Sequence, residues 1–429
     1  MREQVRRYLH NWWGLVDPYV IRGTEKRFRP GMIRFWWYGF FLSASGAFIG
    51  SYLTLYMLAL GATNMQIGAL SSLTSLFGMI MPIPGAQWAT RIGSQKRIVF
   101  ITYSLRYIAV FCLLLVPFIT SGPAAVYWAM GLLAVRAAFI NLGNASWTAF
   151  AGDIIPPDRR GRFFSARKTV MSLATFVFVP LAGYLIEAFS EPLGYQVSFL
   201  IAVVFGGIAQ SFYSQIPELS RGTKQKKRQV SSSIWKSFTN NRTFLIFTLV
   251  SMFFNFAWQL AGPYFGVYEV KVLGATPRIV GILSMASSIF RMLGQQIWGR
   301  LVDRRGARWA FVICLLFIPV IPFIWLPLTN PWQLIFVVLP SGFLWAGREI
   351  ANFNLLLELP SKADRVQAIA TYNTLIGLAN ILGPLVGGQV VENLGYKWLF
   401  AMSGLGRLIA AGLFVVHLRP FKKKSRSLV

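Results

Sequence analysis

Cysteine is nearly absent from this 429-residue chain: Cys112 and Cys314 are its only two, each inside an apolar run. Two cysteines so placed exclude a disulfide framework and a Cys/His metal site. Histidine is as scarce. His10 and His417 lie outside or at the edge of the apolar segments, so a buried imidazole acid, base or ligand is missing. Acid is the third shortage, with 14 Asp and Glu against 42 Lys and Arg. Charge as a whole is thin at 13%, about half the roughly 25% of a soluble domain. No G-x-x-x-x-G-K-[ST] loop occurs to cradle nucleotide phosphates, which argues against a primary pump. The apolar segments contain no paired Asp, Ser/His set or metal cluster, which argues against an intramembrane enzyme. Neither a metal nor a cofactor is expected.

What is present is apolar: 55% of the residues are hydrophobic and the mean hydropathy is +0.53. A spanning helix needs about 20 mostly apolar residues, and twelve such runs follow one another. They cover residues 32–57, 65–87, 98–118, 124–148, 166–189, 195–215, 244–268, 277–298, 308–328, 332–356, 368–391 and 397–417. The expected fold class is therefore an all-α membrane protein of twelve transmembrane helices. About thirty basic and aromatic residues come before the first run, and no short apolar stretch with a cleavage site is among them, so no signal peptide is expected.

A net charge of +28 is of the size nucleic-acid binders carry, but a nucleic-acid domain clusters its cations on soluble elements, and here they punctuate apolar runs. Their positions read as topology. With residues at the run ends counted to their loops, one set of alternate segments holds 34 Lys and Arg, and the other only Lys271, Arg278 and Lys397. Because positive charge is retained in the cytoplasm, both termini are expected there, in a plasma (inner) membrane. The remaining five, Arg106, Arg136, Arg291, Arg348 and Arg407, fall inside runs.

The polar stretch 216–243, with its Lys224 to Arg228 run, divides the spans six and six. The expected organisation is a cytoplasmic segment 1–31, a six-helix bundle 32–215, a linker 216–243, a second bundle 244–418 and a basic tail 419–429. Segment 1–31 mixes Arg with Trp12, Trp13 and Tyr19. It reads either as a helix on anionic lipids of the inner headgroup layer or as a frayed tail.

The halves are related in sequence. Residues 60–93 align without a gap on residues 273–306: Leu60, Gly61, Ala62 and Thr63 match Leu273, Gly274, Ala275 and Thr276, and Gly68, Leu70, Ser71, Ser75, Phe77, Met79, Arg91 and Gly93 also recur 213 positions on. Pro180, Leu181, Gly183, Gly194 and Tyr195 likewise match Pro384, Leu385, Gly387, Gly395 and Tyr396. Two pseudo-symmetric six-helix halves related by an axis along the membrane normal put a solute site near the midplane.

Gly299, Asp303, Arg304, Gly306 and Arg308 fit G-x-x-x-D-R-x-G-x-R. This resembles the cytoplasmic loop signature of the major facilitator superfamily, and the helix count and repeat extend the resemblance over nearly the whole chain. Leu132 and Arg136 in the fourth run are similar to the L-x-x-x-R motif of its proton-linked drug exporters, although Phe139 and Ile140 replace the Gln and Gly that follow. Gly383, Pro384, Gly387 and Gly388 are similar to the exporters' glycine-proline motif, in the eleventh run rather than the fifth. In the first-half copy of the loop, Ala86 and Thr90 stand at the leading glycine and the aspartate. Asp303 is therefore expected either to cap the next helix or to latch onto Arg167 and Lys168, with Gly299, Arg304 and Gly306 shaping the gate.

Charged groups within a bilayer are costly and need partners or a function. The resemblance implies a cavity lined by helices 1, 4, 7 and 10, which points to Arg136 and its repeat mate Arg348 as substrate-binding residues. Arg291 replaces Gly78 of the first half and joins them, whereas Arg106 and Arg407 are expected to support their helices. Glu349 is the one central acid: it either carries a proton or stays bridged to Arg136 or Arg291. Asn141, Asn144, Asn255, Trp258, Gln259, Tyr264 and Asn352 offer hydrogen bonds and stacking around them. The expected function is alternating-access transport of a small-molecule solute by a monomer, as proton-coupled efflux of amphiphilic compounds. The alternatives are an importer or exchanger of organic anions or sugars, and a lipid flippase.

Overall fold

Backbone amides and carbonyls have no water to bond inside a bilayer, so runs this apolar must satisfy them internally. Every regular element in the computed structural model, which describes residues 27–156, 160–189, 191–218, 241–361 and 365–417, is accordingly helical. The basic-aromatic segment, the Lys-rich run of the linker and the C-terminal tail lie outside the described residues.

In chain order the helices are α1 (Arg29–Ala47), α2 (Leu53–Ala59), α3 (Asn64–Ile80), α4 (Pro82–Ile92), α5 (Gln95–Ile119), α6 (Pro123–Ile154), α7 (Arg160–Ala188), α8 (Leu193–Ser214), α9 (Arg242–Lys271), α10 (Pro277–Arg305), α11 (Ala307–Phe317), α12 (Val320–Trp325), α13 (Ile335–Glu358), α14 (Arg365–Leu394) and α15 (Tyr396–His417). Several runs are broken spans. The first is α1 and α2 joined by a short 3-10 turn, and the second is α3 and α4, bent by 43° at Met81 and Pro82. Among the described residues ten spans are long and apolar enough to cross a membrane, and the bent pair makes an eleventh. The eighth of the twelve runs is α10, a full 29-residue helix, but Arg291, Gln295 and Gln296 hold its apolarity below that of the others.

The chain forms two compact units. One contains α1 to α8 together with residues 275–285, and the other contains α9 and the residues from 286 onward. Residues 275–285 join the first unit through close packing on α7: a Cβ on Gly183 would stand 2.5 Å from the Pro277 carbonyl oxygen, and one on Gly281 would stand 2.7 Å from the Tyr52 hydroxyl.

The repeat read from sequence recurs as geometry. Gly61 and Gly274 both take positive φ, 89° and 72°, and so do Gly93 and Gly306, at 72° and 91°. Only glycine enters that region without strain, so each matched pair ends a helix at the matched place. Tyr52 donates to the Val179 carbonyl at 2.6 Å, and Tyr264, 212 positions on, donates to the Pro384 carbonyl at 2.6 Å. In one further pair the hydroxyl changes sides. Ser45 on α1 donates to the Ala202 carbonyl on α8 at 2.7 Å, whereas in the second unit Ser403 on α15 donates to the Ala257 carbonyl on α9 at 2.6 Å.

Large apolar side chains cover the outside, among them Phe118, Trp128, Phe336 and Phe353, as lipid contact requires. One end of the first unit closes on an aromatic cluster in which Phe35, Tyr38, Phe150, Phe163 and Tyr213 are all buried.

Candidate functional site

The first unit bears a half-open cavity of about 340 Å³. Helix α5 supplies Tyr103, Arg106 and Tyr107, α6 supplies Arg136, Asn144 and Trp147, and α7 supplies Arg167, while α1 provides much of the apolar wall. Tyr103, Arg106, Tyr107 and Val110 lie three or four residues apart, so α5 turns a single face to the cavity. Three arginines from three helices thus line the cavity, and no Asp or Glu is among the lining residues.

Each arginine is held differently. Arg106 donates to the Tyr107 hydroxyl and lies 4.4 Å from the Tyr107 ring centre and 4.6 Å from that of Tyr103. Arg167 is buried; its Nε donates to the Phe35 carbonyl at 3.1 Å and its guanidinium sits 4.4 Å from the Phe35 ring. One of its terminal nitrogens, Nη2, is buried with no hydrogen-bond partner, as is Nε1 of the neighbouring Trp147. A buried donor left unpaired costs about 1–3 kcal/mol; Nη2 is packed against α1, where a Cβ on Gly39 would stand 2.8 Å from it. Arg136 projects from the middle of α6, half-buried, into the same space.

Of the expected substrate-binding residues, the cavity brings together Arg136 and Asn144. Asn141 lies beside Gly78 and spends its amide on the Ala137 carbonyl at 2.9 Å. Arg106, expected to support its helix, is tied to Tyr103 and Tyr107 of that helix and also lines the cavity. The signal for it was the Tyr103, Arg106 and Tyr107 face of α5, a cation and two aromatics one turn apart. Arg167, expected as half of a latch, is committed to Phe35 within the first unit, while Lys168 next to it is exposed.

In the second unit Arg348 is buried on α13, its guanidinium 4.7 Å from the Phe254 ring and 5.1 Å from Trp345. Trp258 packs on Trp345 with ring centres 4.5 Å apart. Arg291 and Glu349 form a half-exposed ion pair, so the bridged state of Glu349 is the one observed. The pair is an asymmetric feature, because Gly78 and Ala137 occupy the matching first-half positions. Other expected binders are engaged in packing. Asn255 bonds to the Ser251 carbonyl at 2.7 Å, fully buried Tyr264 bonds to Pro384, and Asn352 accepts from Tyr372 at 3.0 Å. Gln259 packs where α14 approaches α9, since a Cβ on Gly383 would stand 2.8 Å from its own Cβ.

In the signature loop, Gly306 makes the tight turn at φ 91°, whereas Gly299 lies within α10 in open surroundings. Asp303 is exposed and the cap it was expected to offer is not made, since Gly306 precedes α11 and the helix has no side-chain cap. Arg304 lies in the last turn of α10, where its charge favours the helix C-terminus. The matching first-half loop has a different brace: Ser94 caps α5 by accepting from the Arg97 amide at 3.1 Å and donates to Glu218 at 2.8 Å. Among the described residues no three His, Cys, Asp or Glu side chains gather as metal ligands would.

Comparison with known proteins agrees with this architecture. The profile of the Major Facilitator Superfamily matches residues 35–276 and again residues 249–428, one match on each half. Multidrug resistance protein 2 of Bacillus subtilis (strain 168) is 22% identical over 369 residues, covering 84% of this chain and 88% of the relative. MFS-type transporter SLC18B1 of Homo sapiens is 22% identical over 390 residues, covering 86% and 82%. Among solved structures, that of the nucleoside transporter NupG superposes with a TM-score of 0.69 at 16% identity, over 91% of this chain and 99% of that one. With two matched halves, spanning helices throughout and family coverage of nearly its whole length, this chain belongs to the Major Facilitator Superfamily and is a multi-pass membrane transporter.

Proposed function

We propose that the protein is a secondary transporter that works by alternating access and exports small amphiphilic solutes, anionic ones in preference, from the cytoplasm across the plasma membrane, with both termini on the cytoplasmic side. The observation that carries this reading is the cavity of the first unit, whose walls are aromatic and aliphatic and whose charged groups are all cations. Such a site holds an apolar body by burial and orients its polar end by a few fixed donors. The arginines supply the polarity. Their uncompensated charge is expensive in a low-dielectric interior until a negative group enters. Efflux is the direction borne by the name of the Bacillus relative, a multidrug resistance protein.

Coupling is assigned to Glu349. Its carboxylate is held by Arg291 and half-exposed, so proton uptake there neutralises the acid and releases the guanidinium. The experiment is transport by purified protein in proteoliposomes under an imposed pH gradient, wild type against Glu349→Gln, with a panel of dyes, organic anions and sugars. Gradient-driven accumulation in wild type that is lost in the variant, with exchange at equilibrium preserved, supports proton coupling. Transport that ignores the gradient and is unchanged by the variant refutes it, and an exchanger of organic anions then takes its place.

A further inference from the structure

The three arginines of the first-unit cavity differ in what they still have to give, and the difference narrows the solute further. Arg106 is tethered by the Tyr107 hydroxyl and covers the rings of Tyr103 and Tyr107. Arg167 is tethered by the Phe35 carbonyl, and its guanidinium lies 5.7 Å from the Trp147 ring. The aromatic surfaces of this cavity are therefore already occupied by the protein's own cations. A cationic solute gains no ring face there and meets three like charges.

What the arginines lack is acceptors. No carboxylate is among the lining residues. A singly charged head would leave two guanidinium charges uncompensated in a cavity of about 340 Å³. A head with two negative charges can accept from two planar guanidinium groups at once, the geometry that arginine serves best. The volume lies at the small end of ligand pockets, enough for one ring with its substituents.

Resting on the anion preference proposed above, we infer that this cavity takes the doubly negative oxyanion head of a small organic solute. Arg136 and Arg167 bind the head, and the aliphatic wall of Leu42, Ile49, Val110 and Met171 flanks its ring. Arg136 is the specificity-determining member, because it has neither the Tyr107 tether of Arg106 nor the carbonyl anchor of Arg167.

The test uses purified full-length protein and three permanently charged probes built on one ring: ortho-benzenedisulfonate, benzenesulfonate and phenyltrimethylammonium. Binding is measured by calorimetry and transport in proteoliposomes. The disulfonate is expected to bind about tenfold or more tightly than the monosulfonate, the worth of one added charge-assisted contact. Arg136→Gln is expected to reduce that ratio to about twofold or less, and Arg136→Lys, which keeps the charge but not the planar fork, to leave it between the two. If Arg136→Gln fails to fold, the probe series on wild type and Arg136→Lys still decides. Equal binding of the two sulfonates overturns the two-charge head and leaves the anion preference standing. Tighter binding of the ammonium probe overturns both.

Discussion

Tyr52 and Tyr264 show how much a single hydroxyl does in this fold. Each is fully buried and gives its proton to a main-chain carbonyl next to a helix proline, Val179 beside Pro180 in one unit and Pro384 itself in the other. A proline has no N–H to offer the preceding turn, which loosens the helix ladder there. The tyrosine adds a hydrogen bond from a neighbouring segment to the carbonyl at or just before the proline. Tyr264→Phe keeps the ring and removes the bond, so it is expected to cost about 0.5–1.5 kcal/mol. Tyr52→Phe is expected to cost a similar amount. Because the residues sit in different units, the double variant should be additive. Thermal unfolding in detergent, with the two single variants and the double compared, checks this, and marked non-additivity would mean that the two sites are coupled.

Between helices, close approach is set by glycine at a few crossings. On α8, a Cβ at Gly206 would stand 2.2 Å from the Tyr107 ring, whereas one at the adjacent Gly207 would meet nothing within 4 Å. Tyr107 holds Arg106 and lines the cavity, so Gly206 sets the position of a cavity wall without touching a solute. Gly206→Ala is expected to cost about 1–3 kcal/mol by overpacking and to weaken solute binding by displacing the ring. Gly207→Ala, in open space on the same helix, is expected to be neutral or to stabilise by up to about 1 kcal/mol. Melting temperatures and solute affinities of the two variants, measured together, separate packing from helix propensity. Gly143 on α6 offers a second case, with a Cβ there standing 2.4 Å from Thr102 and 2.8 Å from Tyr103. The serine exchange between Ser45 and Ser403 belongs to the same scale: the α1–α8 and α9–α15 crossings need one hydroxyl, and either helix can supply it.

Across the whole molecule, the distribution of charge makes a prediction that no single site does. With 34 basic residues on one set of alternate segments and three on the other, cytoplasmic retention of positive charge is expected to put both ends of the chain inside. Reporter fusions at residue 1 and at residue 429 should both report the cytoplasm, and a fusion in the 269–276 connection should report the opposite side. A split result for the two ends would mean an odd number of crossings, and α10, the least apolar helix, would be the first suspect.

The helical class, the twelve runs and the doubled architecture were legible in the sequence because each rests on a local rule. Apolar length sets a span, glycine at a matched position sets a turn, and a 213-residue offset relates the two turns of each kind. The matched positive-φ glycines show that rule acting in both halves. The site was legible only in part. Arg136 stood out as a charge within a span, but its company of Arg106 and Arg167 depends on which faces of α5, α6 and α7 converge, and no local rule reports convergence. The same holds for Glu349, whose partner could have been Arg136 or Arg291 from sequence and is Arg291 in the folded chain. The sequence by itself determined what must be buried and how the helices begin and end. Only the tertiary structure decided which buried charges share a space, because hydrophobicity is non-directional while guanidinium contacts depend on distances set by packing across helices.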